Sequence, residues 1–165
     1  MTPKTEQLQI RVTPLQKAAL KQLAEGAGQD VSTYVLSRAL PEAGQRFDEL
    51  VRALAGETAT SLLLAELDDL LAPLMGRQLT EAVALAPREL RELSPYLQNY
   101  VAAMVEHACQ RRELRPPSWV MNVAPLDEPH FATRLRSLRP YLVRASPVVF
   151  KRRNIFVDAG IGARV

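Results

Sequence analysis

Residues 6–13 alternate polar and apolar, with Leu8, Ile10 and Val12 on one face and Gln7, Gln9 and Arg11 on the other. That is the period of a half-buried strand. Thr13-Pro14 follows as a helix N-cap with proline at the first helical position. Leu15, Ala19 and Leu23, with Ala18 and Leu20 beside them, form a helical stripe that closes at Gly26 and Gly28. A second helix opens at Asp30 or Ser32, carries Val31, Val35 and Ala39, and stops at Pro41. A strand and two short helices in about 36 residues cannot bury enough surface alone, and a lone strand leaves an unpaired edge. Pairing the strands of two copies and interlocking their helices removes both problems. The pattern therefore predicts an obligate dimer with Leu8, Ile10, Val12, Leu23 and Val35 in its core.

From Glu42 onward the period is helical. Phe47, Leu50, Val51 and Leu54 make one stripe, ended by Gly56, and Leu63, Leu67, Leu70, Leu71 and Leu74 make another, ended near Gly76. Residues 79–93 are a weaker helical stretch broken by Pro87. Ser94-Pro95 starts the clearest helix, with Leu97, Val101, Met104, Val105 and Ala108 inward, and it runs out at Arg111-Arg112. Six of the twelve prolines fall in residues 111–165. There, residues 116–120 read as an extended segment docking Trp119, and a short helix is expected around 138–145. Two apolar strands, Val148-Val149-Phe150 and Ile155-Phe156-Val157, flank a turn at Lys151-Arg152-Arg153-Asn154.

Charge sharpens this division. Residues 1–40 carry a net +2, residues 41–110 a net −6 and residues 111–165 a net +7, adding to the overall +3. A basic head, an acidic middle and an arginine-rich tail point to stretches with different partners. The single cysteine, Cys109, excludes an intrachain disulfide framework and a cysteine-based structural zinc site. The first residues lack the apolar core of a signal peptide, and no apolar run approaches the roughly 20 residues of a membrane span. A reduced, soluble, cytoplasmic protein is expected.

The segments Gln7-Leu8-Gln9-Ile10-Arg11-Val12-Thr13-Pro14, Leu20-Lys21-Gln22-Leu23-Ala24 and Gly28-Gln29-Asp30-Val31-Ser32-Thr33-Tyr34-Val35 resemble the ribbon-helix-helix family, the fold of the Arc and MetJ repressors and of many bacterial antitoxins. The resemblance implies a two-stranded ribbon, one strand per protomer, inserted in the major groove of DNA. Gln and Arg carry the paired donors and acceptors that read adenine and guanine edges, so the outward Gln7, Gln9 and Arg11 are the candidate base readers. Lys4 is a candidate phosphate contact. Ser32 and Thr33, at the start of the second helix, are the others, because helix N-termini offer free N–H groups. Pro117-Ser118-Trp119-Val120, Pro129-His130-Phe131 and Ser146 through Ala159 resemble the end of a group of uncharacterised, antitoxin-like bacterial proteins, some beside nucleotidyltransferase-like toxins.

Catalytic constellations are not found in the sequence. His107 and Cys109 lie about 200° apart around a helix, His130 sits in a proline-flanked loop, and Asp68-Asp69 borders a leucine stripe. Phosphate-loop, HExxH and nucleophile-elbow motifs are missing. Lys151-Arg152-Arg153 could grip phosphates, an acidic protein surface or only water.

The fold class expected is mainly α: a dimeric β-α-α ribbon-helix-helix module at 1–42, a helical domain at 43–114, and a Pro/Arg-rich segment with short extended or β structure at 115–165. The expected function is a DNA-binding transcriptional regulator, neither an enzyme nor in need of a cofactor or metal. It would be the antitoxin of a toxin–antitoxin pair, with Arg144, Lys151, Arg152 and Arg153 holding the toxin. The alternatives are a stand-alone regulator that binds a small ligand and an RNA-binding or RNA-modifying enzyme.

Overall fold

The computed structural model describes residues 9–39, 42–56 and 59–158. The chain divides into two compact units, Met1–Pro41 and Glu42–Val165.

In the first unit, α1 (Pro14–Gly26) starts as the Thr13-Pro14 pair requires. The Thr13 hydroxyl accepts from the Gln16 N–H at 3.3 Å, and the Gln16 side chain accepts from the Thr13 N–H at 2.9 Å. This reciprocal box satisfies two N–H groups that the first helical turn leaves free. The helix ends at Ala27, and Gly28 takes a left-handed φ of 66° that a side chain would strain. The chain then enters α2 (Val31–Ala39), which packs on α1.

Residues 9–13 form no strand, and the remainder of the expected strand, with Gln7 and Leu8, lies outside the described residues. The physical reason is the one that predicted a dimer. A solitary strand in one chain has no ladder of donors and acceptors to join.

The second unit is built around α6 (Pro95–Gln110), in which eleven of sixteen residues are buried, which makes it the central helix. Ser94 caps it by accepting from the Leu97 N–H at 3.4 Å. Around it lie α3 (Glu42–Ala55), α4 (Thr60–Leu71), α5 (Gly76–Ala82) and a 3-10 turn at Arg88–Glu92. The predicted stripe of Phe47, Leu50, Val51 and Leu54 is wholly buried, and Leu67 and Leu71 join it from α4. Residues 116–120 are not extended throughout. Ser118–Met121 is the short helix α7, which buries Trp119 with its Nε1–H donating to the Val83 carbonyl at 2.8 Å.

Beyond α7, His130–Phe131 (β1) pairs in parallel with Ile155–Phe156 (β2), with His130 opposite Ile155 and Phe131 opposite Phe156. A 3-10 turn at Arg136–Leu138, then α8 (Arg139–Ala145) and α9 (Val148–Lys151), connect them. The segment 148–150 is thus helical and not the first of two flanking strands. Pro147 sits at the N-cap of α9, and the Phe150 and Lys151 N–H groups both donate to its carbonyl at 3.1 Å.

Candidate nucleic-acid interface

The first unit buries little of its apolar surface. Ala24 is the one fully buried residue of α1, and α2 has none. Ile10 is 62% exposed and Leu15 82%, and Val12, Leu23, Val31 and Leu36 are exposed as well. Val35 is half-buried. Of the side chains expected in a dimer core, Ile10, Val12 and Leu23 therefore face water in the single chain. Gln9 and Arg11, the described candidate base readers, are exposed. Gln7 and Lys4 lie outside the described residues.

The N-terminus of α2 carries its own anion. Asp30 accepts from the Thr33 N–H at 3.0 Å and from the Thr33 hydroxyl at 2.6 Å. These bonds from Thr33 hold the Asp30 carboxyl below its ordinary range. The expected role of Thr33 is to offer its backbone N–H to a DNA phosphate, but this cap takes that N–H. Ser32, one residue earlier, is exposed. At the other end of α2, the Arg38 guanidinium lies over the Tyr34 ring at 5.4 Å.

The basic turn of the second unit differs most from expectation. Arg153 is a core residue, 5% exposed. Its guanidinium donates to the Val120 carbonyl at 2.8 Å, and at 3.3 Å to the Val123 carbonyl, Asn99 Oδ1 and Glu106 Oε2. Burial pulls the Arg153 pKa down, and the charge of Glu106 opposes that pull. Glu106 takes a second charge-assisted bond on Oε1 from Arg152. Lys151 donates to the Arg144 carbonyl at 3.0 Å.

The expected partner-binding set is therefore divided. Arg144 and Arg152 are exposed, whereas Arg153 is turned inward and Lys151 is half-buried. The turn after α9 explains the inversion. The helix ends at Lys151, and the Arg153 N–H donates back to the Phe150 carbonyl at 2.9 Å, so Arg153 is buried as Val149 and Phe150 are. Strand periodicity had held the turn outward.

Sequence reasoning missed Asn99 and Glu106, both buried on α6. A signal was there. Two polar residues seven apart share a helix face, and these two flank Ala102 and Ala103 on α6. Asn99 also ties the loop after α7 to α6, its Nδ2 donating to the Ala124 carbonyl at 2.9 Å.

No group of three or more His, Cys, Asp or Glu among the described residues could hold a metal ion. Cys109 is buried, and burial raises its thiol pKa. The His130 ring lies 4.1 Å from that of Tyr96, tilted by 37°. Among the described residues no helix is long and apolar enough to cross a membrane.

Residues 2–57 match the family model described as NikA-like, Mobilization protein NikA. No curated protein and no solved structure matches the chain. The match corrects the expected kinship with Arc/MetJ-type antitoxins, and with it the toxin partner loses its support. Alternation, a capped first helix and a short second helix are demanded by the packing of any β-α-α dimer. The side chains that separate one such family from another are the exposed ones, which no packing rule selects. The likeness of residues 2–57 is to a mobilization-protein family.

Proposed function

We propose that the first unit is a ribbon-helix-helix module that binds double-stranded DNA as a homodimer, and that the chain acts in DNA mobilization by binding rather than by catalysis. The observation that carries this reading is the set of exposed apolar side chains Ile10, Val12, Leu15, Leu23, Val31 and Leu36 on a unit of 41 residues. Such a surface is stable in water only when covered. A second copy, contributing a strand and two helices, covers it and supplies the missing strand ladder. The likeness of residues 2–57 to a mobilization-protein family supports the same reading.

In such a dimer Ile10 and Val12 face the helices, while Gln7, Gln9 and Arg11 face the major groove. Lys4 meets the phosphate backbone. The test is selection of duplexes from a random-sequence pool with the full chain, followed by affinity measurements on the selected site and on a scrambled duplex. Arg11→Ala should lower affinity for the selected site by about 1–3 kcal/mol and leave the scrambled duplex nearly unaffected. Val12→Glu should yield a monomer that binds neither. Equal losses on both duplexes for Arg11→Ala would remove Arg11 from base reading. A monomeric wild-type chain at micromolar concentration would sink the ribbon itself.

A further inference from the structure

Residues 129–157 contain seven Lys and Arg and no Asp or Glu. Arg152 and Arg153 are committed to Glu106, and Arg139 lies over the Phe131 ring at 4.9 Å. Arg134, Arg136, Arg139 and Arg144 are all exposed. None of the ion pairs among the described residues includes them.

The same stretch exposes Leu135 and Val148 by 61% and 64%, and Leu138, Tyr141 and Val143 by about half. Leu142 is the side chain through which α8 anchors to the core. Single exposed apolar residues are ordinary. Five large ones within fourteen residues, set among exposed guanidinium groups, with the Asp158 carboxylate reaching the Tyr141 hydroxyl among these side chains, make a surface built for contact.

The chemistry of the occupant follows from both components. A duplex would engage the arginines and leave Leu135, Leu138, Val143 and Val148 in water. Binding to a lipid surface scales with the apolar area inserted, and the seven residues of α8 offer only about two turns for it. A second copy presenting the same face would set like charges against each other. A protein segment with apolar anchors flanked by carboxylates satisfies every group present. Arginine suits this role because its weakly hydrated, planar head pairs bidentately with carboxylates.

We infer that the surface formed by residues 134–148 docks an acidic amphipathic helix of a partner protein. This inference concerns the second unit and stands independently of the DNA-binding reading of the first. Arg144 keeps the partner-facing role expected of it, and the arginines at 134, 136 and 139 take the place of the buried Arg153.

The test uses the full chain and defined probes in titration calorimetry. The probes are a synthetic helical peptide with Leu on one face and Glu on its flanks, the same peptide with Lys for Glu, the same with Ser for Leu, and a random-sequence duplex. The Leu/Glu peptide should bind at least about ten-fold more tightly than either control peptide. Arg136→Glu with Arg144→Glu, and separately Leu135→Ser with Val148→Ser, should each weaken it about ten-fold with an unchanged unfolding midpoint. If the charge reversal lowers that midpoint, Arg136→Gln with Arg144→Gln replaces it. Absence of peptide binding would overturn the inference. So would a serine pair that changes nothing while the charge reversal weakens duplex binding, because the face would then be a nucleic-acid contact.

Discussion

Glu106 lies between two arginines, and the three contribute unequally to the fold. Its partner Arg153 is buried with it, whereas Arg152 reaches it from a half-exposed position. Removing the carboxylate leaves a buried guanidinium with only neutral acceptors. Glu106→Ala should therefore cost about 3–5 kcal/mol in denaturant unfolding of the second unit. Glu106→Leu combined with Arg153→Met should recover most of that loss, because the pair is then removed together. His107, one position on, is half-buried, and burial first and Arg111 second lower its pKa below the ordinary value, with Asp68 opposing. A base with a depressed folded pKa contributes stability above its unfolded pKa and loses it as the pH falls towards the folded one. The unfolding midpoint should accordingly decline as the pH falls through the ordinary histidine value of about 6.5, and His107→Gln should flatten that part of the profile. Asp68, whose carboxyl burial raises, contributes in the opposite sense at lower pH.

At the scale of elements, legibility depended on length and on caps. The α3 stripe from Phe47 to Leu54 and the α6 run from Leu97 to Ala108 span several turns, so their periods cannot be mistaken, and the residues they marked are buried. The Thr13 capping box follows directly from its sequence. Thr13→Ala should remove about 0.5–2 kcal/mol from α1, readable as faster amide exchange at residues 15–17. Val148-Val149-Phe150 is three residues long, too short for period to separate strand from helix, and Pro147 at its start was the informative residue. The exit of α6 was not legible either. Glu113 takes a left-handed φ of 56°, and the Leu114 N–H reaches back to the Cys109 carbonyl at 3.0 Å. Glycine is the residue that position favours. Glu113→Gly should stabilise the second unit by about 0.5–1 kcal/mol in the same denaturant assay.

For the molecule as a whole, the division into units sets how it melts. The first unit buries too little alone, so its transition should move to higher temperature as protein concentration rises, whereas that of the second should not. Calorimetric scans at concentrations differing about a hundred-fold check this, since linkage predicts a shift in one transition only. The apolar positions of the first unit were legible in the sequence, because they are local. The sequence did not carry the inward turn of Arg153, which depends on contacts 30 to 54 residues distant in the chain. One further consequence comes from the chain's only tryptophan. Trp119 lies within the second unit, its indole bonded to Val83 and its ring 6.4 Å from that of Phe47. Its emission spectrum should therefore shift to the red when the second unit opens. Selective excitation of that indole would follow the opening of the second unit by light alone.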